Sequence, residues 1–284
     1  MTDTTATVHQ AVTIDVPAAA LLVTASDRAD IDVTIEPSNP DRSADREAAE
    51  RITVTETENG IAVTGEKRLL LGANGSADVR LAVPAGTDLE ATISAGAVRL
   101  RGHLGAVRLK ISAGDVTGDT MVSIRAKVSH GSIALAEVAD GADLQLSSGE
   151  AEIGRIGGGE TRIKSGHGSI RIDDFAGSAE LITATGGIAL GEVDGDVSAT
   201  SGHGTVRVSR ARGGRLELGS NFGGIDVAVA PGAPVWIDAD SKRGVVRTDL
   251  ESDAARSAMR SPWRCMRTRS SATSPSTARA DSVR

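Results

Sequence analysis

The sequence predicts an all-β fold, a single-stranded parallel β-solenoid (β-helix), from three observations. A short pattern, Gly-x-aliphatic-x-aliphatic, recurs at a near-constant interval. The stretches between its copies also alternate aliphatic and polar residues. Aromatic residues make up only 1% of the 284 residues, with no Tyr, so the core is not built on large rings.

The pattern appears as Gly96-Ala-Val98-Arg-Leu100, Gly131-Ser-Ile133-Ala-Leu135 and Gly149-Glu-Ala151-Glu-Ile153. It returns as Gly168-Ser-Ile170-Arg-Ile172, Gly186-Gly-Ile188-Ala-Leu190, Gly204-Thr-Val206-Arg-Val208 and Gly223-Gly-Ile225-Asp-Val227, with a degenerate copy at Gly114-Asp-Val116. Successive glycines lie 18, 17, 18, 19, 18, 18 and 19 residues apart. The two-residue alternation is that of a strand with one buried face. A second alternating segment precedes most glycines, at Leu144/Leu146, Ile163, Leu181, Val197/Ala199 and Leu216/Leu218. Gly, Asp, Ser and Asn between the segments supply turns.

A unit of this length is too short for a strand–helix repeat, at roughly 30 residues, or a propeller blade, at roughly 40. Each unit therefore reads as one coil, with like residues stacked about 4.8 Å apart, and eight coils spanning roughly 38 Å. The alternative is an antiparallel meander of roughly nine-residue strands.

Ahead of the regular repeats, Val12-Thr-Ile14, Leu22-Val-Thr and Ile31-Asp-Val33-Thr-Ile35 read as strands. Pro37 to Arg51 breaks the pattern and predicts a short helix capped by Ser43. Strands resume at Ile52-Thr-Val54 and Ile61-Ala-Val63. An atypical first stretch suits a solenoid, whose uncovered end rung exposes apolar surface and open strand edges. Val235-Trp236-Ile237 and Val245-Val246 read as the last rungs. The solenoid domain is thus residues 1–252, regular over about 92–230, followed by an atypical Arg/Ser-rich tail at 253–284.

Charge divides the chain. Residues 251–284 carry seven Arg and three acids, a net +4, and the rest sets 24 basic against 35 acidic residues, a net −11. An acidic body repels nucleic acid and anionic membrane, so neither is expected as a partner. Only five of the 31 basic residues are Lys, a bias that fits a high-GC bacterial gene. The lone Cys265 excludes an internal disulfide framework and thiolate metal clusters. The first residues, MTDTTATVHQAV, lack the basic and apolar regions of a signal peptide, and no apolar run reaches spanning length. A cytoplasmic location is the expectation.

The serial Gly-x-[IV]-x-[LIV] units, the opening ASDRADIDVTIEPSNPDRSAD and the segment PVWIDADSKRGVVRTDLE together resemble one bacterial family. It is a β-strand-repeat domain of unknown function, labelled an adhesin and also described as the toastrack domain. The resemblance covers about residues 8–252 and looks closest to the actinobacterial branch. It implies a right-handed β-helix-like solenoid without an assigned catalytic site. Some relatives accompany membrane-stress signalling systems, which implies scaffolding.

The tail departs from the pattern. From about Ser257 the alternation stops. Back-translated with high-GC codons and read two bases later, Arg260 to Arg279 permits VAVEVHAHAKFGDIAIHRA, which alternates and ends in a repeat unit. A frameshift that removed the terminal rung is therefore expected.

Several residues invite chemistry. His130, His167 and His203 hold one repeat position but in alternate copies, hence about 9–10 Å apart. The ligands of one zinc ion must each lie about 2 Å from it, so no shared metal site is expected. Acidic turns at Asp140, Asp173-Asp174 and Asp194/Asp196 do not follow the calcium nonapeptide and read as solvated carboxylates. Ser-Gly-His-Gly occurs at 165–168 and 201–204, without a nucleophile elbow or orienting third group. Gly157-Gly158-Gly159 lacks the Lys-Ser/Thr of a phosphate loop. The outward Ser and Thr form no regular array for water or glycan.

The expectation is thus a non-enzymatic scaffold that binds another protein, with no cofactor and with end-to-end self-association through the damaged last rung. A carbohydrate-active β-helix enzyme or glycan-binding surface protein is the rival, opposed by missing Tyr and scattered acids. A secreted adhesin would need an export signal.

Overall fold

The computed structural model describes residues 11–58, 60–65, 75–231, 236–241, 245–247 and 266–270. The chain begins with β1 (Ala11–Ser26), β2 (Asp32–Pro37), α1 (Ser43–Glu50), β3 (Ile52–Thr57), β4 (Gly60–Gly65) and β5 (Ala77–Pro84). The regular coils follow as β6 (Asp88–Ala95), β7 (Val98–Ala113), β8 (Val116–His130), β9 (Ile133–Val138), β10 (Ala142–Ser148), β11 (Ala151–Ile156) and β12 (Glu160–His167). They continue through β13 (Ile170–Thr185), β14 (Ile188–His203), β15 (Val206–Gly213), β16 (Leu216–Phe222) and β17 (Ile225–Val229), and then come β18 (Ile237–Ser241) and β19 (Met266–Ser270).

Each coil has two strand segments, one in each of two parallel ladders that form opposite walls. In the first wall Val98 pairs with Val116, which pairs with Ile133, and so on through Ala151, Ile170, Ile188, Val206 and Ile225. These steps of 17 to 19 residues reproduce the glycine spacings. The second wall runs through β6, the later halves of β7 and β8, β10, β12, the later halves of β13 and β14, and β16. Parallel pairing throughout these coils excludes the antiparallel meander.

Inward positions form the core. One first-wall column stacks Leu104, Met121, Val138, Ile156, Phe175, Val193 and Ala211, all buried. Each Leu, Met, Val, Ile or Phe among them contributes about 1.5–3 kcal/mol relative to exposure. Between coils the backbone turns on stacked glycines. Gly168 has φ +142°, where an L side chain is strained, and a Cβ there would fall on the carbonyl oxygen of Gly149 one coil earlier.

The order at the first end differs from the order of the chain. β1 lies inside the stack, parallel to β4 and β5 on one side and to β6 and β7 on the other. The end is closed by antiparallel strands, β2 on β5 and β3 on β4. Helix α1 packs beside them against β2, β3 and β5. Its N-cap is Arg42, not Ser43, which is already the first helical residue, and no side chain caps the helix. The anchoring group is Asp45, only 1% exposed, which accepts hydrogen bonds from the backbone N–H of Asn39 and of Ser76, both at 3.1 Å.

The other end is uneven. Among the described residues β17 is the last strand of the first wall, whereas the second wall continues from β16 to β19 and then β18. A strand at Met266–Ser270 therefore lies within the tail, although the sequence there lacks the alternation of the repeats. The open edge of β16 accounts for it, because that row of backbone groups is satisfied by any added strand. Of the expected last rungs, Ile237 is in β18 but beside β19 rather than β16, and Val235 lies outside the described residues. Val245 and Val246 are exposed and in no strand. Most of the proposed frameshift segment also lies outside the described residues.

Candidate functional site

The three histidines stand where the repeat places them. The ladder reads Ala113, His130, Ser148, His167, Thr185, His203, Phe222, so Ser or Thr separates each histidine from the next. His203 stacks on Phe222 with ring centroids 4.6 Å apart and planes 5° from parallel. Among the described residues no group of three or more His, Cys, Asp or Glu comes together to hold a metal ion.

The Ser-Gly-His-Gly serines point the other way, into the core. Ser201 donates its hydroxyl hydrogen to the carbonyl of Gly186 at 2.9 Å. Thr183 does the same to Gly168 at 3.1 Å, and Ser220 to Gly204 at 2.9 Å. These buried hydroxyls are fixed as braces between coils and do not face a histidine base. Ser165, in the same column, is buried with its hydroxyl unpartnered.

The acidic turns also tie coils together. Asp196 accepts from the backbone N–H of Arg215 at 2.8 Å, and Asp88 does so from Ala106 at 2.7 Å. Asp174 lies 3.9 Å from Arg155.

On the first wall, small residues leave a shallow open depression of about 260 Å³. Ala134, Ala136 and Gly154 line it together with Glu152, Arg171 and Asp173, and Glu152 sits 4.0 Å from Arg171.

The second wall carries a different chemistry. Its outward columns stack Arg108 on Arg125 and Lys110 on Lys127, each pair in direct register. The next coil has Asp143 and Gln145, and the one after has Arg162 and Lys164. Asp143 takes a hydrogen bond from Arg125 at 3.2 Å, and Glu180 takes one from Arg162 at 2.6 Å. That bond holds the Glu180 carboxyl below its ordinary range and raises the Arg162 guanidinium. Arg108, Lys110, Lys127 and Lys164 are exposed, with no carboxylate at ion-pair distance among the described residues.

Sequence reasoning did not isolate this patch, although the signal was present. Lys110 and Lys127 are 17 residues apart, the local coil length, so sorting charges by repeat position brings them into one column.

The sequence profile described as Toastrack DUF4097 matches residues 9–280 of the chain. Comparison with curated proteins gives no match.

Proposed function

From the premise that the chain belongs to the Toastrack DUF4097 family, we propose that it is a non-enzymatic scaffold that holds another protein on its coil stack. The fate of the repeated Ser-Gly-His-Gly units carries this reading. Their hydroxyls are buried and, at Ser201, committed to a backbone carbonyl, so the most nucleophile-like motif of the sequence is structural. A stack of coils locked by parallel ladders offers rigid, extended faces, which is what a scaffold requires.

The proposed setting is an adhesin-like or envelope-stress system, supported by the family resemblance, with the cytoplasm as the compartment. Among the described residues no helix is long and apolar enough to cross a membrane. Cell fractionation checks the compartment.

The rival glycan reading draws on the depression holding Glu152 and Asp173. Affinity capture with the full chain separates the two. A protein recovered by the wild type and lost on charge reversal of one wall supports the scaffold. Depletion of a glycan, with release of new reducing ends, favours the enzyme and overturns it.

A further inference from the structure

We propose that the basic centre of the second wall is the docking surface for an extended acidic segment of a partner protein. The inference rests on the scaffold reading and names the partner's chemistry.

Two observations carry it. Arg108 over Arg125 and Lys110 over Lys127 put like charges directly opposite at the inter-strand spacing, about 4.8 Å. Such pairs are destabilising, and the repeat does not impose them, since other coils hold Thr92, Gln145 or Thr200 in the same column. Natural proteins break such local rules at functional sites. Secondly, the positive charge is confined. Asp15, Thr92 and Glu90 lie on one side of the block and Glu180, Ile182 and Thr200 on the other, within a body of net −11. The arginines have acidic neighbours in register, Glu90 for Arg108 and Asp143 for Arg125, but Lys110 and Lys127 lie between Thr92 and Gln145 and have no carboxylate at ion-pair distance among the described residues.

The geometry points to a protein strand. Arg108 and Lys110, like Arg125 and Lys127, are two residues apart on one wall, so their spacing matches alternate side chains of an extended peptide, about 6.8 Å. Acidic side chains at every second position would meet two cations per coil across neighbouring coils. A nucleic-acid strand would in addition need rings on which its bases stack, and the described wall offers no exposed ring beside Lys110 and Lys127.

The test measures binding of a fluorescein-labelled alternating Glu-Ser peptide to the full chain by anisotropy. An oligothymidylate of equal charge and vesicles of anionic lipid serve as competitors. The expected result is saturable peptide binding that weakens with salt and falls roughly tenfold or more in Lys110→Glu/Lys127→Glu. The milder Lys110→Gln/Lys127→Gln loses an intermediate amount, and Arg171→Glu/Arg207→Glu on the first wall binds like wild type. Single Lys127→Glu, which replaces a like pair by an opposite one, keeps or raises the melting temperature while it weakens binding. Absent peptide binding, an equal loss in the first-wall variant, or tighter binding of oligonucleotide or vesicle overturns the proposal. If a cellular protein partner is still captured undiminished by the second-wall variant, this surface is wrong while the scaffold reading stands.

Discussion

Ser201 spans two coils: its hydroxyl donates to the carbonyl oxygen of Gly186, the turn glycine fifteen residues earlier, at 2.9 Å. The same bond recurs from Thr183 and Ser220, whereas in earlier coils this column holds Ile93, Ile111, Val128 and Leu146. This one inward column therefore changes from aliphatic residues to hydroxyls toward the later coils, while its neighbour stays aliphatic at Ile163, Leu181, Ala199 and Leu218. The lost apolar burial is offset by pairing carbonyls that would otherwise be buried beside the turns.

Ser201→Ala leaves that carbonyl without its donor and is expected to cost about 1–3 kcal/mol. For a chain of this size that lowers the melting temperature by roughly 2–4 °C per kcal/mol. Ser165→Ala removes a buried hydroxyl that has no partner, so it is expected to be neutral or stabilising. Calorimetry on both variants decides the matter, and an equal loss at the two sites would contradict the bracing role.

The turn glycines give a sharper contrast. A Cβ at Gly168 meets backbone one coil earlier, while one at Gly86, also at positive φ, meets nothing within 4 Å. Gly86→Ala carries only the conformational strain, about 1–3 kcal/mol. Gly168→Ala adds a clash with rigid backbone and is expected to exceed that, broadening or abolishing the cooperative urea transition. Equal midpoints for the two variants would show that stacking does not require glycine.

Coil length, parallel ladders and inward positions were legible in the sequence because one period governs all three. Val98 through Ile225 fall in register at the intervals their glycines set. The placement of β1 was not legible. Its two halves alternate like any other coil, with Val12, Ile14, Leu21 and Val23 all buried, so the pattern says that it is a rung but not between which neighbours. The helix cap failed for a related reason, since Asp45 ties the turn to Ser76, thirty-one residues away, and makes a local cap unnecessary. Of the candidate surfaces, the histidine column was visible from phase alone. The basic wall takes charge and phase together, because only their combination sets Arg108 opposite Arg125.

Acid should weaken one exposed link in a defined direction. The hydrogen bond from Arg162 holds the Glu180 carboxyl below its ordinary value of 4.5. The folded chain thus keeps this proton off more readily than the unfolded chain, so the stabilisation is complete above the ordinary Glu range and is lost as pH falls through the lowered value. Glu180→Gln should melt below wild type at neutral pH, and the gap should close in acid. Both groups are solvent-exposed, so the gap is small and shrinks with salt. A gap that widens on acidification would contradict the assignment.

The last prediction concerns the uneven end. Phe222 and Trp236 are 50% and 56% exposed, Val245 is 81% exposed, and β17 is the last described strand of its wall. Open strand edges beside apolar side chains favour association, whereas the opposite end is closed by β2, β3 and the charged helix α1. Full-length protein is therefore expected to dimerise through this end, read as concentration-dependent mass by size exclusion with light scattering. We propose further that the tail is a shifted reading frame. A gene restored to encode VAVEVHAHAKFGDIAIHRA should complete the terminal coil, raise the melting temperature and abolish the dimer. Resequencing of the source gene tests the frame itself. A clean original frame together with an unchanged melting temperature would sink the frameshift, and a monomer at all concentrations would sink the end-to-end contact.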